Sequence, residues 1–318
     1  MSKDSLISVV IPVYNEEDSI TANHEALISV LKETGHPYEV IYVDDGSKDA
    51  SFSLIENLIK NDGKVRAVRF ARNFGQTAAM TAGIEEACGE VIIMMDADGQ
   101  NDPADIPLLL SKIDEGYDVV SGWRHNRQDS LARRIVSHIA NKLISRVTGV
   151  HLHDYGCSLK AYHKDVIKNV RLYGEMHRFI PALASQSGAS IAEVKVGHHR
   201  RNSGKSKYGM ERIGKVLLDL VTLKFLLSFS TKPIYFFGLV GGILLLLSGV
   251  WILIALIFAV VRAGVMGGIF MIAGFQFIFM GLISEMLVRI YHESQDKPIY
   301  FVKERRNCCD DDFPNGDD

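Results

Sequence analysis

Five apolar residues, Val91-Ile-Ile-Met-Met, run directly into Asp96-Ala-Asp98, so two carboxylates one residue apart stand where an apolar stretch ends. Residues two apart on an extended chain point the same way, and the pair can converge on one site. Carboxylates that close repel unless a cation lies between them. Their hard oxygens suit Mg²⁺ or Mn²⁺, ions that characteristically bridge substrate phosphates. A lone Asp-x-Asp is more often a solvated turn. Here two more polar turns, Pro12-Val-Tyr-Asn-Glu-Glu17 and Asp44-Asp-Gly-Ser47, follow apolar runs of the same kind, and that company favours a site.

The elements that must position these turns alternate. Residues 7–13, 38–43, 65–70 and 91–95 read as strands, with amphipathic stretches at 19–32, 51–61 and 76–88 between them. Strands alternating with helices predict a parallel sheet covered on both faces. Ligands bind such sheets at the carboxyl ends of the strands, which puts all three polar turns on one edge. A further strand at 118–122 precedes Arg124, Arg127, Arg133 and Arg134. Planar guanidinium donors match phosphate oxygens, although a solvated basic helix face would look similar.

The 318 residues are 47% hydrophobic and 23% charged with a net charge of −3, enough for a sizeable core and more than one domain, and without the basic balance expected for nucleic acid. Cys88, Cys157, Cys308 and Cys309 show neither a disulfide framework nor zinc-ligand spacing, which points to a reducing compartment. The start, Met-Ser-Lys-Asp-Ser, lacks the apolar core of a signal peptide, so the first domain is expected in the cytoplasm.

Composition changes further along. Residues 234–261 are almost wholly apolar, and after Arg262-Ala-Gly a second apolar stretch covers 265–283. The first is longer than the roughly 20 residues a span needs and the second is about one bilayer thickness long, which predicts a transmembrane hairpin. Lys207, Arg212, Lys215, Lys224 and Lys232 precede it, Arg289, Lys297, Lys303, Arg305 and Arg306 follow it, and only Arg262 lies between. That asymmetry predicts both ends on the cytoplasmic side. Residues 208–231 carry apolar positions at helical spacing interrupted by cations, as interfacial helices do, and burial against the catalytic domain would give the same pattern. His198 and His199 lack matched partner ligands for zinc and are assigned no chemistry.

Together Val10-Ile-Pro-Val-Tyr-Asn-Glu-Glu17, Val43-Asp-Asp-Gly-Ser47, Arg72-Asn-Phe-Gly-Gln76, Asp96-Ala-Asp-Gly-Gln100, Asp154-Tyr-Gly-Cys157 and Ser206-Lys-Tyr208, with the hairpin, resemble glycosyltransferase family 2 over nearly the whole chain. The resemblance is to its polyprenyl-phosphate glycosyltransferases, dolichyl-phosphate mannose synthase-like, and above all to the bacterial undecaprenyl-phosphate glucosyl and 4-deoxy-4-formamido-arabinosyl enzymes. It implies an α/β fold: a GT-A, Rossmann-like nucleotide-sugar domain over 1–205, interface helices over 206–232, two transmembrane helices over 233–284 and a cytoplasmic tail over 285–318. The implied location is the inner membrane, multi-pass, with the catalytic domain and both termini cytoplasmic. The glycine-containing hairpin could pack against a second copy.

By resemblance, Pro12, Tyr14, Glu16, Asp45 and Asp96 bind the nucleotide sugar, and Asp96 and Asp98, with Gln100 beside them, hold Mg²⁺ or Mn²⁺. Arg124 engages the lipid phosphate with Arg127 and one of Arg133 or Arg134, the choice between those two staying open. Lys205 and Lys207 match a phosphate-clamping loop. Asp98, Arg124 and Asp154 are then the residues expected to carry catalysis. Asp154 matches an acid sometimes assigned as base; an orienting role is the better expectation, because a phosphate monoester ionised near pH 6 is already a nucleophile. The implied reaction inverts the anomeric centre, moves a sugar from a nucleoside diphosphate, UDP by preference, to polyprenyl phosphate, and serves cell-envelope glycan modification. A processive polysaccharide synthase would normally carry Gln-x-x-Arg-Trp and more membrane helices, and a phosphoglycosyl transferase would release nucleoside monophosphate.

Overall fold

The computed structural model describes residue 2, residues 4–125, residues 141–199 except 143, 147, 171 and 173–175, residues 300–307 except 301, and single helical positions between 265 and 290. The alternation read from the sequence folds as expected at its core. Strand β1 (Ile7–Val13) pairs in parallel with β2 (Tyr38–Asp44) and with β4 (Val91–Met94), and β2 pairs with β3 (Val65–Phe70). Helices α1 (Ile20–Thr34), α2 (Ser51–Asn61) and α3 (Gln76–Glu86) make the connections. Val9, Val40, Val91 and Ile93 are fully buried. Continuous apolar runs of this kind are the mark of strands covered on both faces.

The sheet has eight strands in the order β7-β5-β6-β4-β1-β2-β3-β8, the additional strands being β5 (Val119–Arg124), β6 (Lys160–His163), β7 (Ile191–Val196) and β8 (Val302–Arg306). It is mixed, which corrects the expected parallel sheet. β6 runs antiparallel to β4 and β5, and β8 antiparallel to β3. Both are short and lie outside the regular strand–helix repeats that enforce parallel pairing. The strand expected at 118–122 runs instead to Arg124, so that arginine is itself the last residue of β5.

Helix α3 (Gln76–Glu86) approaches the sheet closely through Ala78, Ala79, Ala82 and Gly83, all buried. A Cβ on Gly83 would overlap the Val10 side chain, so only glycine allows this approach. The effect is to seat the first residue of α3, Gln76, beside the ends of β1 and β4.

Two compact units divide the chain, Met1–Gly209 with Tyr300–Asp318, and Met210–Ile299. Residues 302–306, assigned above to a tail, form β8 in the first unit. Tyr300 stacks on Phe70 with ring centroids 4.8 Å apart, its hydroxyl donates to Glu85, and Arg305 pairs with Glu86 at 2.9 Å. In the second unit the helical positions Val265, Ile272, Ile283 and Ile290 expose half or more of their side chains. Among the described residues no helix is long and apolar enough to cross a membrane. The expected interface helices at 206–232, the first span and most of the second lie outside the described residues.

Candidate active site

The ends of β1, β2 and β4 bring the three polar turns together. Asp96 leaves the sheet just after Met95, whose backbone N–H still donates to Val10 O at 3.2 Å. Gln76 Nε2 donates to Asp96 Oδ1 at 2.8 Å, and the Asp96 N–H donates to Asn101 Oδ1 at 3.1 Å. Asp98 Oδ1 accepts the Gln100 N–H at 3.1 Å. Burial and then the Asp98 carboxylate push the Asp96 carboxyl up to about 6. That mutual repulsion is what a bound divalent cation would relieve.

The donor set fits such an ion. Among the described residues no three His, Cys, Asp or Glu side chains cluster, so the protein offers two carboxylates and leaves other positions to water and phosphate. Mg²⁺ and Mn²⁺ bind this way, whereas structural zinc sites need a closed set of protein ligands. Gln100 supports Asp98 through its N–H and accepts the His199 N–H on its carbonyl at 3.0 Å.

The turn after β2 (Tyr38–Asp44) is tied to its neighbours. Asp45 is buried, and its carboxylate accepts hydrogen bonds from Phe74 N–H at 2.6 Å, Gly75 N–H at 2.9 Å and Asn73 Nδ2 at 2.8 Å. Expected to touch the nucleoside, Asp45 fixes the 72–76 loop in this structure. Gly46 has φ 70°, and a Cβ there would lie 2.5 Å from the carbonyl carbon of Arg72, so this crossing requires glycine. Asn15, at φ 55°, donates its N–H to Ser47 Oγ and accepts the Lys48 N–H on Oδ1 at 2.8 Å. Asp44 is fully buried and ion-paired to Arg69 at 3.2 Å. Half-buried Pro12, Tyr14 and Glu16 lie at and just beyond the end of β1, and Tyr14 lines a cavity of about 470 Å³.

On the other side, Arg124 at the end of β5 (Val119–Arg124) forms a two-pronged pair with Asp154: Nε to Oδ2 at 2.7 Å and Nη2 to Oδ1 at 2.9 Å. Asp154 is 2% exposed and also accepts the Gly156 N–H at 3.1 Å. Burial, the largest single influence, acts against the Arg124 charge, but the bond to Asp154 and the charges of Asp154, Cys157 and Asp96 together outweigh it, and the guanidinium is held above its ordinary value. Asp96 lies within electrostatic range of Arg124, so the acids after β4 and the arginine that ends β5 belong to one site. Arg127, Arg133, Arg134, Lys205 and Lys207 lie outside the described residues.

Three residues of this site were given no individual role by the sequence reading. Gln76 and Asn101 hold Asp96, and Asn101 Oδ1 also accepts Ser158 Oγ at 2.9 Å. Lys160 of β6 (Lys160–His163) is 3% exposed, donates to Tyr155 O at 3.1 Å, and is pushed down to about 8 by burial. Its signal was present in a single lysine set in the apolar run Leu159-Lys-Ala-Tyr.

The description "Glycosyl transferase family 2" belongs to a family model that matches residues 8–171, from β1 through β6. The dodecaprenyl-phosphate galacturonate synthase of Rhizobium johnstonii is 41% identical over 94% of this chain and 92% of its own. The chain belongs to glycosyltransferase family 2. Another member, the undecaprenyl-phosphate 4-deoxy-4-formamido-L-arabinose transferase of Proteus mirabilis, is 38% identical over 95% of this chain and 94% of its own. Two solved structures share the fold at low identity. Glucosyl-3-phosphoglycerate synthase from Mycobacterium tuberculosis, solved with Mn²⁺, UDP and glucosyl-3-phosphoglycerate, has a TM-score of 0.54 at 20% identity over 70% of this chain and 79% of that one. Mannosyl-3-phosphoglycerate synthase from Rubrobacter xylanophilus has 0.55 at 14% identity over 70% and 74%. The family 2 domain is therefore a GT-A, Rossmann-like α/β fold.

Proposed function

We propose that this family 2 member is an inverting membrane glycosyltransferase that moves a sugar from a nucleoside diphosphate, UDP by preference, to a polyprenyl phosphate. The observation that carries it is that Asp96, next to Asp98 and linked through Asn101 to Ser158, lies within electrostatic range of Arg124. Carboxylates suit a metal-bound diphosphate, and a guanidinium suits a second phosphate arriving opposite. Asp154 occupies the Nε and Nη2 edge of Arg124, so the Nη1 edge is the one that meets the acceptor. The near full-length likeness to two transferases named for polyprenyl phosphates supports that acceptor.

The chemistry follows from the groups present. An acceptor phosphate oxygen attacks the anomeric carbon in line, the bond from that carbon to the diphosphate oxygen breaks, and nucleoside diphosphate departs. Mg²⁺ or Mn²⁺ at Asp96 and Asp98 would supply charge stabilisation to the departing diphosphate. Asp154 takes no proton in this scheme, because both its oxygens are engaged by Arg124 and Gly156 and a phosphate dianion needs no base. It orients Arg124. Positioning supplies much of the rate, with Gln76 and Asn101 fixing Asp96 and Asp45 fixing the loop that carries Gln76.

The same reading places 1–205 in the cytoplasm, 206–232 at the interface, 233–284 across the inner membrane as two spans, and the C-terminal residues back in the cytoplasm. The exposed apolar positions Val265, Ile272, Ile283 and Ile290 support contact with lipid. Screening nucleotide sugars against undecaprenyl phosphate, with mass detection of the lipid and NMR of the product, tests the whole reading. Nucleoside diphosphate and an inverted anomeric centre are expected. Nucleoside monophosphate would overturn the reaction class, and retention would overturn the single displacement.

A further inference from the structure

The cavity at the ends of β1, β2 and β3 has a wall that the family 2 match over residues 8–171 does not contain. Lys303 of β8 (Val302–Arg306) lines it together with Tyr14, Gly46, Lys48, Arg69 and Arg72. The pairing of β8 with β3 (Val65–Phe70) explains how the side chain gets there. Arg69 pairs with Glu304 and Phe70 with Val302, so Lys303 is the extra residue of a β-bulge. Bulges re-aim a side chain and concentrate beside functional sites. The strand carrying it is held by the Tyr300–Phe70 stack and the Arg305–Glu86 pair.

Charge in the cavity is one-sided. Arg69 is neutralised by Asp44, but Lys48, Arg72 and Lys303 form no ion pair among the described residues, and no carboxylate there lines the wall. Asp45, beside the cavity-lining Gly46, accepts from Asn73, Phe74 and Gly75 instead. The cavity therefore offers hydrogen-bond donors to whatever enters. Its position identifies the ligand's end: β3 lies three strand spacings from β4 (Val91–Met94), about 14 Å from the metal-binding acids. A nucleotide whose diphosphate sits at Asp96 and Asp98 would extend its base in this direction.

We propose that Lys303 is a nucleoside-binding residue, turned by the bulge into the base cavity, where with Lys48 and Arg72 it donates to carbonyl oxygens of the base. The inference rests on the nucleotide-sugar reading and deepens it by adding a specificity residue from the far end of the chain. Uracil presents two carbonyl oxygens, whereas cytosine replaces one with an amine that these donors cannot satisfy.

The test is calorimetric titration of the full-length detergent-solubilised protein with UDP and with CDP in Mn²⁺, free of any acceptor. Wild type should bind UDP more tightly than CDP. Lys303→Met should weaken UDP about tenfold and bring the two nucleotides together, while Lys303→Arg keeps the preference. Arg305→Met, which loosens the same strand by losing the Glu86 pair, controls for a merely structural effect and should leave the UDP-to-CDP ratio unchanged. Unaltered UDP affinity in Lys303→Met overturns the inference, and so does an equal weakening of both nucleotides matching that of Arg305→Met. Failure of the wild type to bind either nucleotide overturns the donor reading beneath it.

Discussion

The two sides of the strand-end edge use their carboxylates differently. Along β1, β2 and β4, apart from Asp44, which also pairs with Arg69, the acids face backbone N–H groups: Asp45 accepts from Phe74 and Gly75, Asp98 from Gln100, and Asp102 from Ala104. Between β5 and β6 the one buried acid among the described residues, Asp154, faces a guanidinium. In the first case an acid shapes a loop, and its loss leaves neutral donors that water can satisfy. In the second, loss of the acid strands a cation in a half-dry site, which costs more than an unmade neutral hydrogen bond. The donor side is thus a frame of turns, and the acceptor side is a poised charge.

The largest effect that tests this contrast is on turnover. Asp98→Asn removes one of the two charges proposed to hold the metal while its amide oxygen can still accept the Gln100 N–H. Turnover should fall by about 10³-fold, with the melting temperature nearly unchanged. Near-normal rates in saturating Mg²⁺ or Mn²⁺ would remove the metal assignment.

A stability comparison comes next. Asp154→Asn should destabilise the protein by about 3–5 kcal/mol, because it leaves Arg124 unpaired. Adding Arg124→Met should recover part of that loss even though activity is gone, since the stranded charge goes with it. Asp45→Asn, which disturbs a loop clamp, should cost about 1–3 kcal/mol and raise KM for the nucleotide sugar more than it lowers kcat. Equal costs for the two acids, measured by denaturant unfolding of the detergent-solubilised protein, would erase the distinction between the two sides.

The same contrast explains what could be read in advance. Strands β1 and β3 and helix α2 (Ser51–Asn61) were legible to the residue, because their apolar periodicity is a local property. The Asp96 and Asp98 pair was legible for the same reason, lying two residues apart at the end of one apolar run. Antiparallel pairing of β6 and β8 was not, since a strand of four or five residues carries no sign of its direction. Lys303, Arg305 and Arg306 read as flanking charge of a membrane span, and nothing local marks them as part of a strand. Gln76 and Asn101 are uncharged and ordinary in composition; their grip on Asp96 exists only after α3 and the 96–101 turn are brought together. The Arg124–Asp154 pair joins residues 30 apart, so each could be nominated from the family pattern but not joined to the other.

The smallest predicted effect concerns Asp96 in the metal-free protein. Its carboxyl is raised from 3.8 to about 6, by burial and by Asp98, so the folded state holds that proton more tightly than the unfolded chain does. Stability from this group is therefore present at low pH and is lost as pH rises from about 4 to about 6, then stays low. Asparagine keeps an oxygen for the Gln76 donor and has no charge to repel Asp98. Asp96→Asn should accordingly melt about 2–4 °C above wild type at pH 7.5 without metal, and the difference should close by pH 4. Saturating Mn²⁺ at pH 7.5 should reverse the order, because only the wild type gains from a cation between the two carboxylates. Thermal melts of both proteins at the two pH values, with and without Mn²⁺, decide it. A gain that persists at pH 4 would mean the substitution acts through packing, and a wild type indifferent to Mn²⁺ would mean that the Asp96–Asp98 repulsion is not relieved by metal.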